Sequence, residues 1–130
     1  MGNARNVKKL VLVGPGEITN RQAKILYEHF GDHEIVRHIY VITDADVRRI
    51  RPVNNCSGDA EEICADAVVF LKILSRPAGE LLMKGVEVYD FEVAPASDGR
   101  GDLHDGRIMT VGLRKYDLRP KPVARWVYAD

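Results

Sequence analysis

The sequence predicts an α/β fold: a Rossmann-like, mainly parallel sheet flanked by helices, with antiparallel strands at the carboxyl end. Three observations carry this reading. Val7 to Gln22, VKKLVLVGPGEITNRQ, reads as a buried strand, a glycine-proline-glycine turn and the start of a helix. A second run rich in β-formers follows, and strand, helix, strand in that order make a right-handed unit with parallel strands. Beyond Val86 three strand-like runs follow one another with no helical pattern between them, which favours antiparallel pairing.

The totals narrow the class. A chain of 130 residues suits one domain with a sizeable core. Hydrophobic residues at 45% and charged residues at 29% are ordinary globular values. Lys+Arg and Asp+Glu balance at 19 each, against the basic excess of a protein that grips duplex nucleic acid. Low net charge removes one defence against self-association, so a homodimer is easily accommodated. Cys56 and Cys64 make neither a disulfide framework nor a zinc ribbon, and are read as two reduced thiols. No apolar run has membrane-spanning length and no signal-peptide pattern opens the chain. A cytoplasmic protein with no membrane partner is expected.

After the polar lead-in Met1 to Asn6, the first strand is expected at Val7 to Val13. Its Val11-Leu12-Val13 is the continuous apolar run of a strand covered on both faces. The first helix is expected at Asn20 to Phe30, with Ala23, Leu26, Tyr27 and Phe30 on one face. Thr19 and Gln22 form a capping-box pattern at its start, and Gly31 is its C-cap. The second strand spans Glu34 to Thr43. Asp44 to Pro52 suits a short helix carrying Arg48, Arg49 and Arg51, and Pro52 to Gly58 a loop. Ser57 or Asp59 then caps a long helix, Ala60 to Ser75, with Ile63, Ala67, Phe70, Leu71 and Leu74 on one stripe that Cys64 and Val68 widen. Asp59, Glu61 and Glu62 would crowd its first turn, where the dipole favours negative charge. Pro77 starts a short helical turn through Met83 and Lys84, closed by Gly85. Val86 to Val93 is the third strand and Ala94 to Gly106 a loop. Arg107 to Tyr116 and Val123 to Tyr128 are the last strands, separated by Arg119-Pro120-Lys121-Pro122.

The glycine turn is the candidate binding site. In open parallel sheets ligands bind beyond the carboxyl ends of the strands, and a helix mouth there offers amides to an anion such as phosphate. Two readings stay open. The turn is either a purely structural connection, or a site in which the backbone of Gly14, Pro15, Gly16, Glu17, Ile18 and Thr19, with the side chains of Thr19, Asn20 and Gln22, holds a phosphate or a base. It is not a dinucleotide fingerprint, because Thr19 stands at the third glycine position, and no Gly-Lys-Ser/Thr follows to make a P-loop. Thr43 and Asp44 sit past the second strand on the same edge. Arg48, Arg49 and Arg51 are candidate phosphate contacts there, against the plainer reading of a solvated charged face. Arg114, Lys115, Arg119, Lys121 and Arg125 form a second, less favourably placed basic group.

No catalytic motif stands out: no serine lies in a nucleophile elbow and no His-Glu-x-x-His occurs. Asp44 and Asp46 are available as acid, base or magnesium ligands, with Tyr40 or His38 to assist. A ribonucleotide phosphodiester can also be cleaved mainly by positioning its own 2′-hydroxyl, which leaves little motif to find. Ser97 to Gly106 lacks the glutamate and spacing of a calcium loop and reads as a polar connection. His29, His33 and His38 have no metal-ligand pattern. No cofactor and no metal are expected.

Leu12-Val13-Gly14-Pro15-Gly16-Glu17-Ile18-Thr19-Asn20-Arg21-Gln22, followed by Phe30-Gly31-Asp32-His33-Glu34-Ile35-Val36, resembles the opening of small stand-alone CRISPR accessory proteins related to the CRISPR-associated Rossmann-fold (CARF) sensor domains. The stretch from Asp105-Gly106-Arg107 to Leu113-Arg114-Lys115-Tyr116 is similar to a carboxyl-terminal strand in some of them. The resemblance implies a homodimer that binds a small nucleotide ligand, a cyclic oligoadenylate second messenger, across its two-fold axis in prokaryotic antiviral defence. Gly14 to Gln22 are the positions that carry over. Family members sequester or sense the messenger, or cleave it slowly without metal, so a metal-independent ring nuclease is the alternative. A non-catalytic protein-interaction subunit with no small ligand is the third reading. The chain departs from the family pattern after Leu74, where a glycine-containing middle strand has no counterpart.

Overall fold

Leu10 to Val13 are covered on both faces, and this sets Lys8–Val13 (β1) inside the sheet. A computed structural model describes residues 7–72, 77–95, 102–104, 107–117 and 123–129. From β1 the chain passes through helix α1 (Asn20–Phe30) to strand β2 (His33–Ile39), which pairs with β1 in parallel. Helix α2 (Asp44–Arg49), strand β3 (Ile50–Pro52) and a 3-10 turn at Val53–Asn55 follow. Strand β4 (Ile63–Ala65) pairs with β3 in a small parallel sheet. Strand β5 (Ala67–Phe70) enters the main sheet on the other side of β1, parallel to it. Helix α3 (Ala78–Met83) leads to strand β6 (Glu87–Pro95), parallel to β5. Strands β7 (Asp102–His104), β8 (Arg107–Asp117) and β9 (Val123–Ala129) complete the sheet, β8 running antiparallel to β6, β7 and β9. The order is β2-β1-β5-β6-β8-β7, with β9 also on β8. This is the expected α/β fold, four parallel strands extended by antiparallel ones.

Alternation along the strands builds two apolar layers. Leu10, Leu12, Ala67, Val69, Tyr89 and Phe91 pack with Ile25 and Leu26 of α1. Val11, Val13, Val68, Phe70 and Val88 pack with Val47 of α2, Ile50 and Ile63 of the small sheet, and Ala78 and Leu81 at α3. Removing each such aliphatic side chain from water stabilises the fold by about 1.5–3 kcal/mol.

The expected loop at Ala94 to Gly106 holds the end of β6 and the strand β7, which pairs with β8, and four further expectations are corrected. The long helix at Ala60 to Ser75 is two strands, β4 and β5. Ala67-Val68-Val69-Phe70 is short, apolar and partly β-branched, and periodicity alone does not separate such a run from a buried helix. Pairing decides it: the Asp66 N–H donates to Lys9 O at 2.7 Å and the Leu71 N–H to Val13 O at 2.8 Å, stitching β5 to β1 at both ends. Leu74 and Ser75 lie outside the described residues. Without that helix the acidic cluster needs another account. Asp59 Oδ1 accepts from the Glu61 amide at 2.9 Å, and Glu62 accepts from Ser57.

The second correction is that β2 stops at Ile39, short of Thr43, leaving Tyr40 and Val41 exposed. Thirdly, α1 buries Ile25 and Leu26, while Tyr27 is turned to solvent. Lastly, Cys56 and Cys64 are not reduced thiols but a disulfide, with Cα atoms 6.2 Å apart. Their proximity follows from the parallel β3–β4 pair, which sets Arg51 beside Cys64 while Cys56 curls back to within 3.4 Å of Pro52 O. Spacing along the chain holds no record of that pairing. Among the described residues no helix is long and apolar enough to cross a membrane.

Candidate functional site

The chain leaves β1 toward β2 on one side and returns to β5 on the other. The crevice beyond their carboxyl ends is a topological switch point, the place where open α/β sheets bind ligands. The Gly14 turn occupies it. Gly14 and Gly16 have φ of 144° and 79°, both in the region that favours glycine. The Gly14 N–H donates to Ile39 O at 2.9 Å, and His38 Nε2 lies 2.8 Å from Gly14 O, so the turn is fastened to the end of β2. A Cβ at Gly14 would stand 3.0 Å from the Leu71 Cβ, whereas one at Gly16 would meet nothing within 4 Å. Gly14 is therefore a packing glycine, and Gly16 borders open space.

Thr19 and Gln22 are engaged by the helix they open. Thr19 Oγ1 accepts from the Gln22 amide and Gln22 Oε1 from the Thr19 amide, each at 3.0 Å. Gln22 Nε2 also donates to Leu71 O at 3.3 Å, tying the helix mouth to the end of β5. These two side chains position the site. Pro15, Gly16, Glu17 and Asn20 are exposed beside the positive end of the helix dipole, and Ile18 is half-buried.

Helix α2 opens on the same edge with a second capping box. Thr43 Oγ1 accepts from the Asp46 amide at 3.2 Å, and Asp46 Oδ2 accepts from the Thr43 amide at 3.0 Å. Asp46, one of the two aspartates considered as an acid or base, is thus a capping residue. A groove of about 550 Å³ brings Thr43, Asp44 and Arg48 together with Ile42, Pro77 and Glu80. The other two arginines point elsewhere: Arg49 Nε donates to Glu61 O at 2.8 Å, and Arg51 Nε lies 3.5 Å from Glu62 Oε2. Lys84 fastens the far end of α2, its Nζ donating to Val47 O and to Ile50 O. Burial, with Arg51 beside it, pushes the Lys84 ammonium below its ordinary range.

A larger groove, about 690 Å³, lies at the amino ends of β1 and β6. Its size and its position disagree as guides to function, and position decides. Lys9 Nζ pairs with Glu34 Oε1 at 3.1 Å, Asp66 Oδ2 accepts the Lys9 amide at 2.7 Å, and Glu87 Oε1 accepts from Tyr89 at 2.6 Å. The polar groups that would greet a ligand already serve one another, at the end of the sheet where parallel folds do not bind.

Sequence reasoning missed two polar networks. Asp90 is fully buried, level with Phe70 at the end of β5, on the α3 face. Arg114 opposite it on β8 donates from Nε and Nη2 to the two Asp90 oxygens, each at 2.8 Å, and its Nη1 lies 2.6 Å from Glu92 Oε2. Tyr116 donates to Asp90 Oδ2 at 2.8 Å. The hydrogen bonds to Asp90 raise the Arg114 pKa, while burial and the Asp90 bond push the Tyr116 phenol up to about 12. With its fork spent on carboxylates, Arg114 is a strut and not a phosphate contact. The signal was available: Asp90 shares the parity of Val86 and Val88 in VEVYDFEV, so a charge falls at an inward position.

On the α1 face Tyr89 donates to Glu87, and His29 Nε2 lies 3.2 Å from the Tyr89 oxygen, with Phe30 edge-on to the Tyr89 ring. Because the Tyr89 proton is given to Glu87, the imidazole is the donor in the second contact. Burial lowers the His29 pKa and raises that of Tyr89.

Among the described residues one set of possible metal donors converges: Cys56 Sγ, Cys64 Sγ and a Glu62 carboxylate oxygen lie within 4.8 Å of one another. Ser97 to Gly101, Asp105 and Gly106 fall outside the described residues, as do Arg119 and Lys121. Comparison of the chain with protein-family models, with curated proteins and with solved structures finds no match in any of the three.

Proposed function

We propose that the chain binds a nucleotide second messenger of the cyclic oligoadenylate type, as a cytoplasmic homodimer in prokaryotic antiviral defence. The observation that carries this reading is the Gly14 turn at the switch point, with exposed backbone from Pro15 to Glu17 and the α1 dipole behind it. A phosphate would rest on that backbone with Asn20 beside it, and Arg48, one turn along α2 from Thr43 and Asp44 in the groove, would meet a second one. Tyr40 and Val41, 68% and 67% exposed, lie between turn and groove and offer a base a face to stack on. The resemblance of Leu12 to Gln22 to the CRISPR accessory proteins supplies the class of messenger.

A panel of nucleotides and cyclic oligoadenylates tests this by thermal shift. A ligand held by the folded state should raise Tm by several degrees, and the shift should shrink as salt rises, because phosphates dominate the contact. Recovering the ligand after incubation separates holding from cleavage. No shift with any nucleotide would sink the reading and leave the protein-interaction subunit.

A further inference from the structure

We propose that reduction of the Cys56–Cys64 bond turns the small β3–β4 sheet into a binding site for a thiophilic divalent cation such as zinc, ligated by Cys56, Cys64 and Glu62. A disulfide needs no carboxylate beside it, yet a Glu62 oxygen lies within 4.8 Å of both sulfurs. That carboxylate is held: Glu62 Oε1 accepts from the Ser57 amide and from the Ser57 hydroxyl, each at 2.9 Å. Oriented in this way, a ligand needs little further ordering, which is the part outer partners play at metal sites.

The backbone spacing suits both states. Cα atoms 6.2 Å apart permit a disulfide, and small rotations about χ1 would let the two thiolates stand at about 2.3 Å from one ion. The charges also close. Two thiolates and one carboxylate carry three negative charges against two on the cation, and Arg51, with Nε 3.5 Å from Glu62 Oε2, offsets the remainder. A water would take the fourth position, as at three-ligand zinc sites.

The redox step balances with a dithiol as reductant. Its two thiols give two electrons and two protons, the Cys56–Cys64 bond breaks, two protein thiols form, and the reductant leaves as its own disulfide. The cation then displaces the two thiol protons. In either state the β3–β4 connection is clipped, covalently when oxidised and through the ion when reduced.

The test is a Co²⁺ titration of the full chain, reduced with a dithiol that is then removed anaerobically. The reduced chain should take up one equivalent with thiolate-to-cobalt charge-transfer absorption, displaced by Zn²⁺, and the oxidised chain none. Glu62→Gln should weaken Co²⁺ binding by about tenfold or more, and Ser57→Ala by about tenfold, with the fold intact by circular dichroism. Cys56→Ser should remove the charge-transfer band. A folded reduced chain without that band overturns the proposal, and so does unchanged affinity in Glu62→Gln.

Discussion

Asp90 is the one fully buried charge among the described residues, and it survives there because Arg114 and Tyr116 satisfy it. Breaking such a pair from one side leaves an uncompensated carboxylate. Arg114→Met should therefore cost about 3–5 kcal/mol in urea unfolding, and adding Asp90→Leu should recover much of the loss. The two turn glycines should separate in the same assay. Gly14→Ala meets the Leu71 Cβ and should cost about 1–3 kcal/mol. Gly16→Ala has room and should cost about 1 kcal/mol, from its positive φ alone. At this scale the sequence was half legible. The parity of Asp90 was readable, but the partner that makes it tolerable lies across an antiparallel register that no local pattern encodes.

Helix starts are written locally: the Thr19 to Gln22 box was legible in four residues, whereas the Thr43 to Asp46 box, with aspartate where the pattern has glutamate or glutamine, was not read from the sequence. Thr19→Ala should cost about 1 kcal/mol, measured by denaturant unfolding, and should loosen the turn that Gln22 ties to Leu71. β5 was not legible, because a four-residue buried strand and a helical stripe share their apolar letters. The turn's place at the carboxyl edge was readable from the strand-turn-helix order. The dispersal of the arginines was not, since Glu61 O and Glu62, which engage Arg49 and Arg51, belong to the segment misread as helix. The clip across that segment should matter as an element. Reducing it in metal-free buffer should cost roughly 2–3 kcal/mol by loop closure. Added Zn²⁺ should return part of that loss in a thermal melt.

The whole molecule is a sheet with a covered centre, and its pH profile should report the groups that hold the layers together. Burial keeps Tyr116 protonated in the fold, with its pKa raised from 10.0 to about 12. The native state therefore holds a proton that the unfolded chain releases, and stability falls as pH rises through that window. His29 has the opposite sense. Its folded pKa lies below 6.5, so stability is lost as pH falls through 6.5 toward the depressed value. Tm should be flat between these limits and decline outside them. Tyr89, buried and bonded to Glu87, is shifted in the same direction, so Tyr116→Phe should make the alkaline limb shallower without abolishing it, and a profile unchanged in that variant would contradict the assignment.

The measurement that bears most directly on the account is calorimetric titration of a cyclic oligoadenylate into the native chain and into Gly16→Asn. Asparagine tolerates the Gly16 backbone conformation and places its side chain in the open space before the helix. The account expects saturable binding to the native chain and at least a ~tenfold loss, about 1.4 kcal/mol, in a variant that melts nearly as the native chain does. Equal affinity for the two proteins would contradict it.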